Sequence, residues 1–155
     1  MTRGKEGDAS MRVVPFAEEH VEAASELERL CFAAPWSAAA LREELQNPCA
    51  VFRAVLDDTG RLAGYAGMHH AADEGFIANI AVRPDCRRCG AASALLASLT
   101  AYAAANRLVR LTLEVRVSNA AAIALYEKHG FVRDGIRPGF YTTPKEDAAI
   151  YSLRL

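Results

Sequence analysis

The chain has 155 residues, 52% of them hydrophobic, and a formal net charge of −1. That length and apolar content suit one domain with one core, and the balanced charge excludes the basic excess of a dedicated nucleic-acid binder. No apolar run approaches the roughly 20 residues that a bilayer-spanning helix needs, and the polar opening Met1-Thr2-Arg3-Gly4-Lys5 has no apolar signal core. The expected location is therefore the cytoplasm. Residues 1–10 read as a flexible tail and residues 11–155 as the folded domain.

A first strand is expected over 11–16. Residues 18–32 carry Val21, Ala24, Leu27 and Leu30 or Cys31 at helical spacing. Pro35-Trp36-Ser37 interrupts that helix, and Ser37 is suited to cap a second one running to about Gln46. Strands are expected over 51–56, 62–69 and 75–82, the first two joined by the turn chemistry of Asp57-Asp58-Thr59-Gly60. A long Ala/Leu helix follows over 91–106, then a strand over 111–117. In that strand Leu111, Leu113, Val115 and Val117 take one face and Thr112, Glu114 and Arg116 the other. Ser118-Asn119 opens the last helix, Gly130 ends it with C′ chemistry, and strands over 131–136 and 148–153 close the chain. The order is strand, two helices, three strands, helix, strand, helix, two strands. It predicts a mixed α/β domain rather than an alternating doubly wound one.

The stretch from Asn79 to Leu96 is the most informative. A buried strand leads through a polar turn into Gly90, Ala91 and Ala92, which open an apolar helix with little side-chain bulk. The first amides of a helix have no internal partner and carry partial positive charge. Bare donors at that place form an anion site suited to a pyrophosphate, and Arg87 and Arg88 add charge. No Gly-Lys-Ser/Thr follows, so the P-loop pattern is absent. Only one counterpart of the three dinucleotide-fold glycines is present.

Arg87-x-x-Gly90-x-Ala92 after a strand ending Ile80-Ala81-Val82 resembles the coenzyme A loop of the GCN5-related N-acetyltransferase (GNAT) superfamily. The segment from Leu113 to Phe131, reading LEVRVSNAAAIALYEKHGF, is similar to the RimI family, whose members acetylate the N-terminal amine of a small-subunit ribosomal protein. Cys31-Phe32 before Pro35-Trp36-Ser37, and Tyr141 before Glu146-Asp147-Ala148, agree with that resemblance. It implies the GNAT fold, a central mixed, mostly antiparallel sheet of six to seven strands flanked by about four helices. It also implies acetyl-CoA as cofactor, coenzyme A as product, and a protein N-terminus as partner. Neither nucleic acid nor membrane is expected as a partner, and the expected state is a monomer or weak dimer.

Acetyl transfer to an amine requires loss of an ammonium proton and stabilisation of a departing thiolate. Glu114 on its strand suits the base, and the resemblance matches it to the family's catalytic glutamate. Tyr126 suits the donor to the thiolate and matches the family's general acid. For the cofactor the resemblance implies Ile80, Ala81 and Val82 through backbone, Arg87, Arg88, Cys89, Gly90, Ala91, Ala92 and Ser93 around the diphosphate, and Asn119 and Tyr126 along the arm. Asn119 is equally suited to cap its helix. Trp36 and Tyr141 are candidates to shape the peptide slot. His69 and His70, at a strand end, compete with Glu114 as base, although strand-end polar residues are the plainer reading.

Departures from the family pattern are Ala92 at a position usually glycine, Cys89 and Ser93 where longer polar side chains are common, and Phe140-Tyr141 in place of paired tyrosines. Cys86-Arg87-Arg88-Cys89 is formally a CxxC, but Cys31 and Cys49 supply no second close pair for a metal site. Free thiols in a reducing compartment are the preferred reading, with oxidation near the diphosphate loop as a second. Alternatives for the function are acetylation of lysine side chains or small amines, and a coenzyme A-binding module without catalysis.

Overall fold

The computed structural model describes residues 11–155, so the expected tail, residues 1–10, lies outside the described residues. The strands are β1 (Arg12–Pro15), β2 (Ala50–Leu56), β3 (Leu62–Ala71), β4 (Glu74–Val82), β5 (Arg110–Arg116), β6 (Val132–Thr142) and β7 (Lys145–Arg154). The helices are α1 (Val21–Cys31), α2 (Ala38–Leu45), α3 (Ala91–Ala105) and α4 (Ala120–Lys128). One seven-stranded sheet runs in the order β1-β2-β3-β4-β5-β7-β6. Every neighbouring pair is antiparallel except β4 and β5, which are parallel. The architecture is the mixed α/β arrangement that the element order predicts. Among the described residues no helix is long and apolar enough to cross a membrane.

Helices cover both faces of the sheet. Val21, Ala24 and Leu27 of α1 and Leu41 of α2 pack with Phe52, Tyr65 and Ala81 on one face. On the other, Leu95, Leu96 and Leu99 of α3 pack with Val55, Ala66 and Leu111, joined by Tyr126 of α4. Each fully buried leucine of α3 contributes about 1.5–3 kcal/mol of burial. β3 is buried on both faces from Leu62 to Met68. Gly67 belongs there because a Cβ at that position would fall on the Phe52 ring. Local chemistry follows the sequence closely. Ser37 Oγ accepts from the Ala40 amide at 3.1 Å and caps α2, and Gly130 at φ +92° ends α4.

Two irregularities position the site. Gly67 pairs with Asn79 while Met68 pairs with Ile77, which leaves Ala78 as an extra residue in β4. Such a bulge re-aims its strand and increases its twist. β4 then pairs with β5 only over Glu74–Ile77 against Arg110–Leu113, and the two strands part beyond that point. At the other end of the sheet, β6 and β7 form a longer hairpin than the expected strands 131–136 and 148–153. Pro138 and Gly139 lie just beyond the expected strand end at Ile136. The strand absorbs them as an irregularity between Arg137 and Tyr141, with Gly139 at φ +62° and its amide donating to Asp147 Oδ1 at 2.8 Å. Pro138 is tolerated because β6 is an edge strand.

Candidate active site

A cavity of about 560 Å³ opens where β4 and β5 part. Trp36, Asn79, Glu114, Asn119, Tyr126 and Tyr141 all line it. Five of these are sequence-level candidates for catalysis, cofactor or acceptor binding. The fold therefore collects them from the α1–α2 connection, β5, α4 and the β6–β7 hairpin.

The expected cofactor side is built from main chain. The Arg83 amide donates to the Ala63 carbonyl at 2.8 Å. By the alternation of an antiparallel ladder, Ala81 then also faces β3, while Ile80 and Val82 offer their amides and carbonyls to the open side. Of the three expected backbone contacts, Ile80 lines the cleft and Val82 has its groups on the same open edge. Ala81 turns its backbone to β3 and buries its side chain. Val82 O also accepts a weak bond from Cys31 Sγ at 3.8 Å. An extended, amide-rich ligand pairs with such an exposed edge as an added strand does.

After β4 the chain makes a short 3-10 turn (Pro84–Cys86) and the loop 87–90. Arg88 at φ +67° and Gly90 at φ +82° are both left-handed, a conformation that successive amides use to form an anion nest. A Cβ built on Gly90 would meet nothing within 4 Å, so the space before the loop is open. Ala91 is buried and Ala92 partly buried against the core, leaving the first amides of α3 directed outward. Arg87, Arg88 and Cys89 are exposed around this rim. Arg87 Nη2 lies 3.5 Å from Cys31 Sγ, and Ser93 Oγ lies 3.1 Å from His129 Nε2, which ties it to the end of α4. These groups fit a diphosphate. The two cysteines of the CxxC have different surroundings. Cys86 is buried and accepts from Arg83 Nη2 at 3.0 Å, and burial pushes its thiol pKa up.

Glu114 takes the cavity face of β5 because Leu111, Leu113 and Val115 are buried in the alternate positions. Its Oε2 forms an ion pair at 2.6 Å with Arg137 Nε of β6. Tyr126 is buried against Phe131. Burial, with a smaller contribution from the neighbouring Tyr141 hydroxyl, pushes its pKa up to about 12. Asn119 Oδ1 accepts from the Ala122 amide at 3.1 Å, so it is the N-cap of α4 as well as part of the cavity wall. His69 pairs with Glu44 of α2 at 2.9 Å, and neither it nor His70 is among the cavity-lining residues.

Sequence reasoning missed Glu28 and Arg137. Glu28 is fully buried on α1. Its Oε1 accepts from the Trp36 amide at 2.9 Å, and its Oε2 accepts from Asn79 Nδ2 at 2.7 Å and Tyr65 Oη at 2.5 Å. Burial raises its pKa, partly offset by the Tyr65 and Trp36 hydrogen bonds. The carboxylate joins the α1–α2 connection to the cofactor-side strand. Its signal was present in the sequence. Val21, Ala24, Ser25 and Glu28 follow the i, i+3, i+4, i+7 pattern of one helix face, and a carboxylate on an apolar stripe demands a partner. Arg137 carried no signal, because the strand containing it read as ending at Ile136.

The acetyltransferase (GNAT) family profile matches residues 21–131. The chain belongs to the GNAT family. It is an N-acetyltransferase, with the sheet and helices of that fold. The Escherichia coli (strain K12) [ribosomal protein bS18]-alanine N-acetyltransferase is 39% identical over 133 residues, covering 84% of this chain and 88% of that one. The crystal structure of the ribosomal-protein-S18-alanine N-acetyltransferase from Escherichia coli superposes with a TM-score of 0.84 at 35% identity, covering 93% of each chain. Arabidopsis thaliana NAA60, solved in complex with acetyl-CoA, shares the fold at 17% identity, with a TM-score of 0.84 over 94% of this chain and 98% of that one.

Proposed function

We propose that this GNAT chain transfers the acetyl group of acetyl-CoA to the N-terminal amine of a protein, with a small-subunit ribosomal protein as the acceptor and the cytoplasm as its location. The observation that carries this reading is that Glu114 and Tyr126 wall one cavity at the point where β4 leaves free backbone. The activity of the Escherichia coli relatives supports the choice of acceptor.

Acetyl-CoA, when bound, supplies a thioester carbon open to attack by an amine. Ile80 and Val82 hold the amide-rich arm along the β4 edge, and the loop 87–90 with the start of α3 holds the diphosphate. A free main-chain amide on that edge also suits the thioester oxygen as negative charge develops on it. Glu114 takes the proton of the arriving ammonium, directly or through a water. Tyr126 keeps its own proton at neutral pH, since its pKa is pushed up to about 12. The protonated hydroxyl suits the donor to the leaving sulfur, the general-acid role that the resemblance implies. Both substrates bind together, and no covalent acetyl-enzyme is required. Trp36 and Tyr141 bound the slot for the acceptor.

The test incubates purified chain and acetyl-CoA with three acceptors and maps the products by mass spectrometry. They are a peptide with the N-terminal sequence of bS18, the same peptide blocked at its N-terminus and carrying an internal lysine, and a polyamine. The expected result is acetylation of the first residue of the free peptide. Modification confined to lysine or polyamine would overturn the reading.

A further inference from the structure

The tip of the β6–β7 hairpin carries Tyr141 into the cavity wall, yet it is weakly supported by the sheet itself. The β5–β7 ladder pairs Arg116 with Ala148 and ends where the Val117 amide donates to the Asp147 carbonyl at 3.2 Å. Beyond it, the tip has only the Tyr141–Glu146 and Thr142–Lys145 pairs, cut off from the rest of β6 by the irregularity between Arg137 and Tyr141. A two-stranded tip of that size is marginal by itself.

The Arg116 guanidinium fills the gap. It donates to the Pro144 carbonyl at 2.9 Å, to the Thr143 carbonyl at 3.0 Å and to Glu146 Oε1 at 3.1 Å, and its carbon lies 4.3 Å from the centre of the Tyr141 ring. The other Glu146 oxygen accepts from the Ser118 amide at 2.8 Å, at the junction that leads into α4. Arg116 is two residues after Glu114 and on the same face of β5. One side chain thus connects the strand bearing the base, the tip bearing Tyr141 and, through Glu146, the approach to the helix bearing Tyr126.

We propose that Arg116 is a positioning residue for the acceptor: it fixes Tyr141 and the hairpin tip relative to Glu114, and so sets the geometry of the slot without touching the reacting atoms. This rests on the reading of the slot as the site of a protein N-terminus. Lysine cannot replace it fully, because a point charge cannot reach two carbonyls and a carboxylate in one plane while stacking on a ring. The diphosphate groups lie on the loop 87–90 and the start of α3, away from these contacts, so coenzyme affinity, carried chiefly there, is expected to hold.

The test compares wild type, Arg116→Lys and Arg116→Ala. It measures KM and kcat for the bS18 N-terminal peptide, coenzyme A affinity by calorimetry, and hydrogen exchange of the amides over 139–147. The alanine variant is expected to raise peptide KM by about tenfold to a hundredfold, with coenzyme A affinity unchanged and faster exchange confined to the tip. The lysine variant should fall between, and it carries the test if the alanine variant does not fold. Unchanged peptide KM and unchanged exchange would overturn the proposal, as would equal losses of peptide and coenzyme affinity. If wild type itself ignores the peptide, the functional reading fails; the exchange data and the KM for whichever amine is accepted still decide the role of Arg116.

Discussion

Replacing Glu114 by glutamine separates chemistry from folding. The substitution keeps the shape of the side chain and removes its charge, together with the ion pair to Arg137. The two side chains are 27% and 56% exposed, so the pair is of the surface kind, worth about 0–1 kcal/mol. For a chain of this size that corresponds to a fall in Tm of at most about 4 °C. Removal of a positioned general base costs about 10²- to 10⁴-fold in rate, equivalent to about 2.7–5.4 kcal/mol of barrier at 1.36 kcal/mol per decade. The kinetic loss is therefore more than twice any loss of stability. Glu114 is not among the groups placed at the diphosphate, so coenzyme A affinity should not change. The assay follows thiol release with the N-terminal peptide at saturating acetyl-CoA, beside a thermal melt and a calorimetric titration. A folded Glu114→Gln enzyme with kcat within about threefold of wild type would remove Glu114 from the role of base.

Tyr126→Phe should lower kcat by about tenfold to a hundredfold while leaving coenzyme A affinity intact, since one donor to the leaving sulfur is lost; an unchanged kcat rules the hydroxyl out. Gly90→Val forces a β-branched residue into a left-handed conformation, and calorimetry should show coenzyme A affinity weakened by about tenfold or more as the loop amides move. Tyr65→Phe removes a donor from the buried Glu28 carboxylate and should cost about 1–3 kcal/mol, read as a lower Tm. Glu28 also predicts a pH effect. Burial raises its folded-state pKa above the ordinary 4.5, so its stabilising contribution is complete below 4.5 and is lost as pH rises through the folded value. Relative to Glu28→Gln, wild type should therefore melt progressively lower as pH increases across that interval. Parallel Tm profiles for the two proteins contradict this account of Glu28.

Much of this was legible in the sequence, and the exceptions share a cause. The period-2 pattern of residues 111–117 placed Glu114 on the face opposite the aliphatics, where β5 carries it. Ser37 and Asn119 read correctly as caps because capping is a local bond within three residues. The small residues at 90–92 announced an open helix start, and Gly90 has open space before it. What the sequence hid depends on distant partners. The free edge of β4 arises from the extra residue Ala78 and from where β5 stops pairing. Ala81 seemed equivalent to Ile80 and Val82, and only the ladder with β3 distinguishes them. The reach of β6 to Thr142 lay beyond the expected end at Ile136, and it passes through Pro138-Gly139, residues that would end a central strand but are accommodated on an edge. Arg137 and the Arg116–Glu146 bridge followed that segment out of view.

On the proposed reading, the donor half of the site belongs to β4, the loop 87–90 and α3, in the middle of the chain, whereas the acceptor walls come from the α1–α2 connection and the β6–β7 tip. Those two rims sit far apart in the sequence and meet only across the cavity mouth. Selectivity can therefore diverge by exchange of two short peripheral segments while the nucleotide-holding machinery stays constant. A chimera carrying both rims from another N-acetyltransferase should inherit that enzyme's choice of polypeptide, and transplanting either rim alone should leave a mismatched mouth.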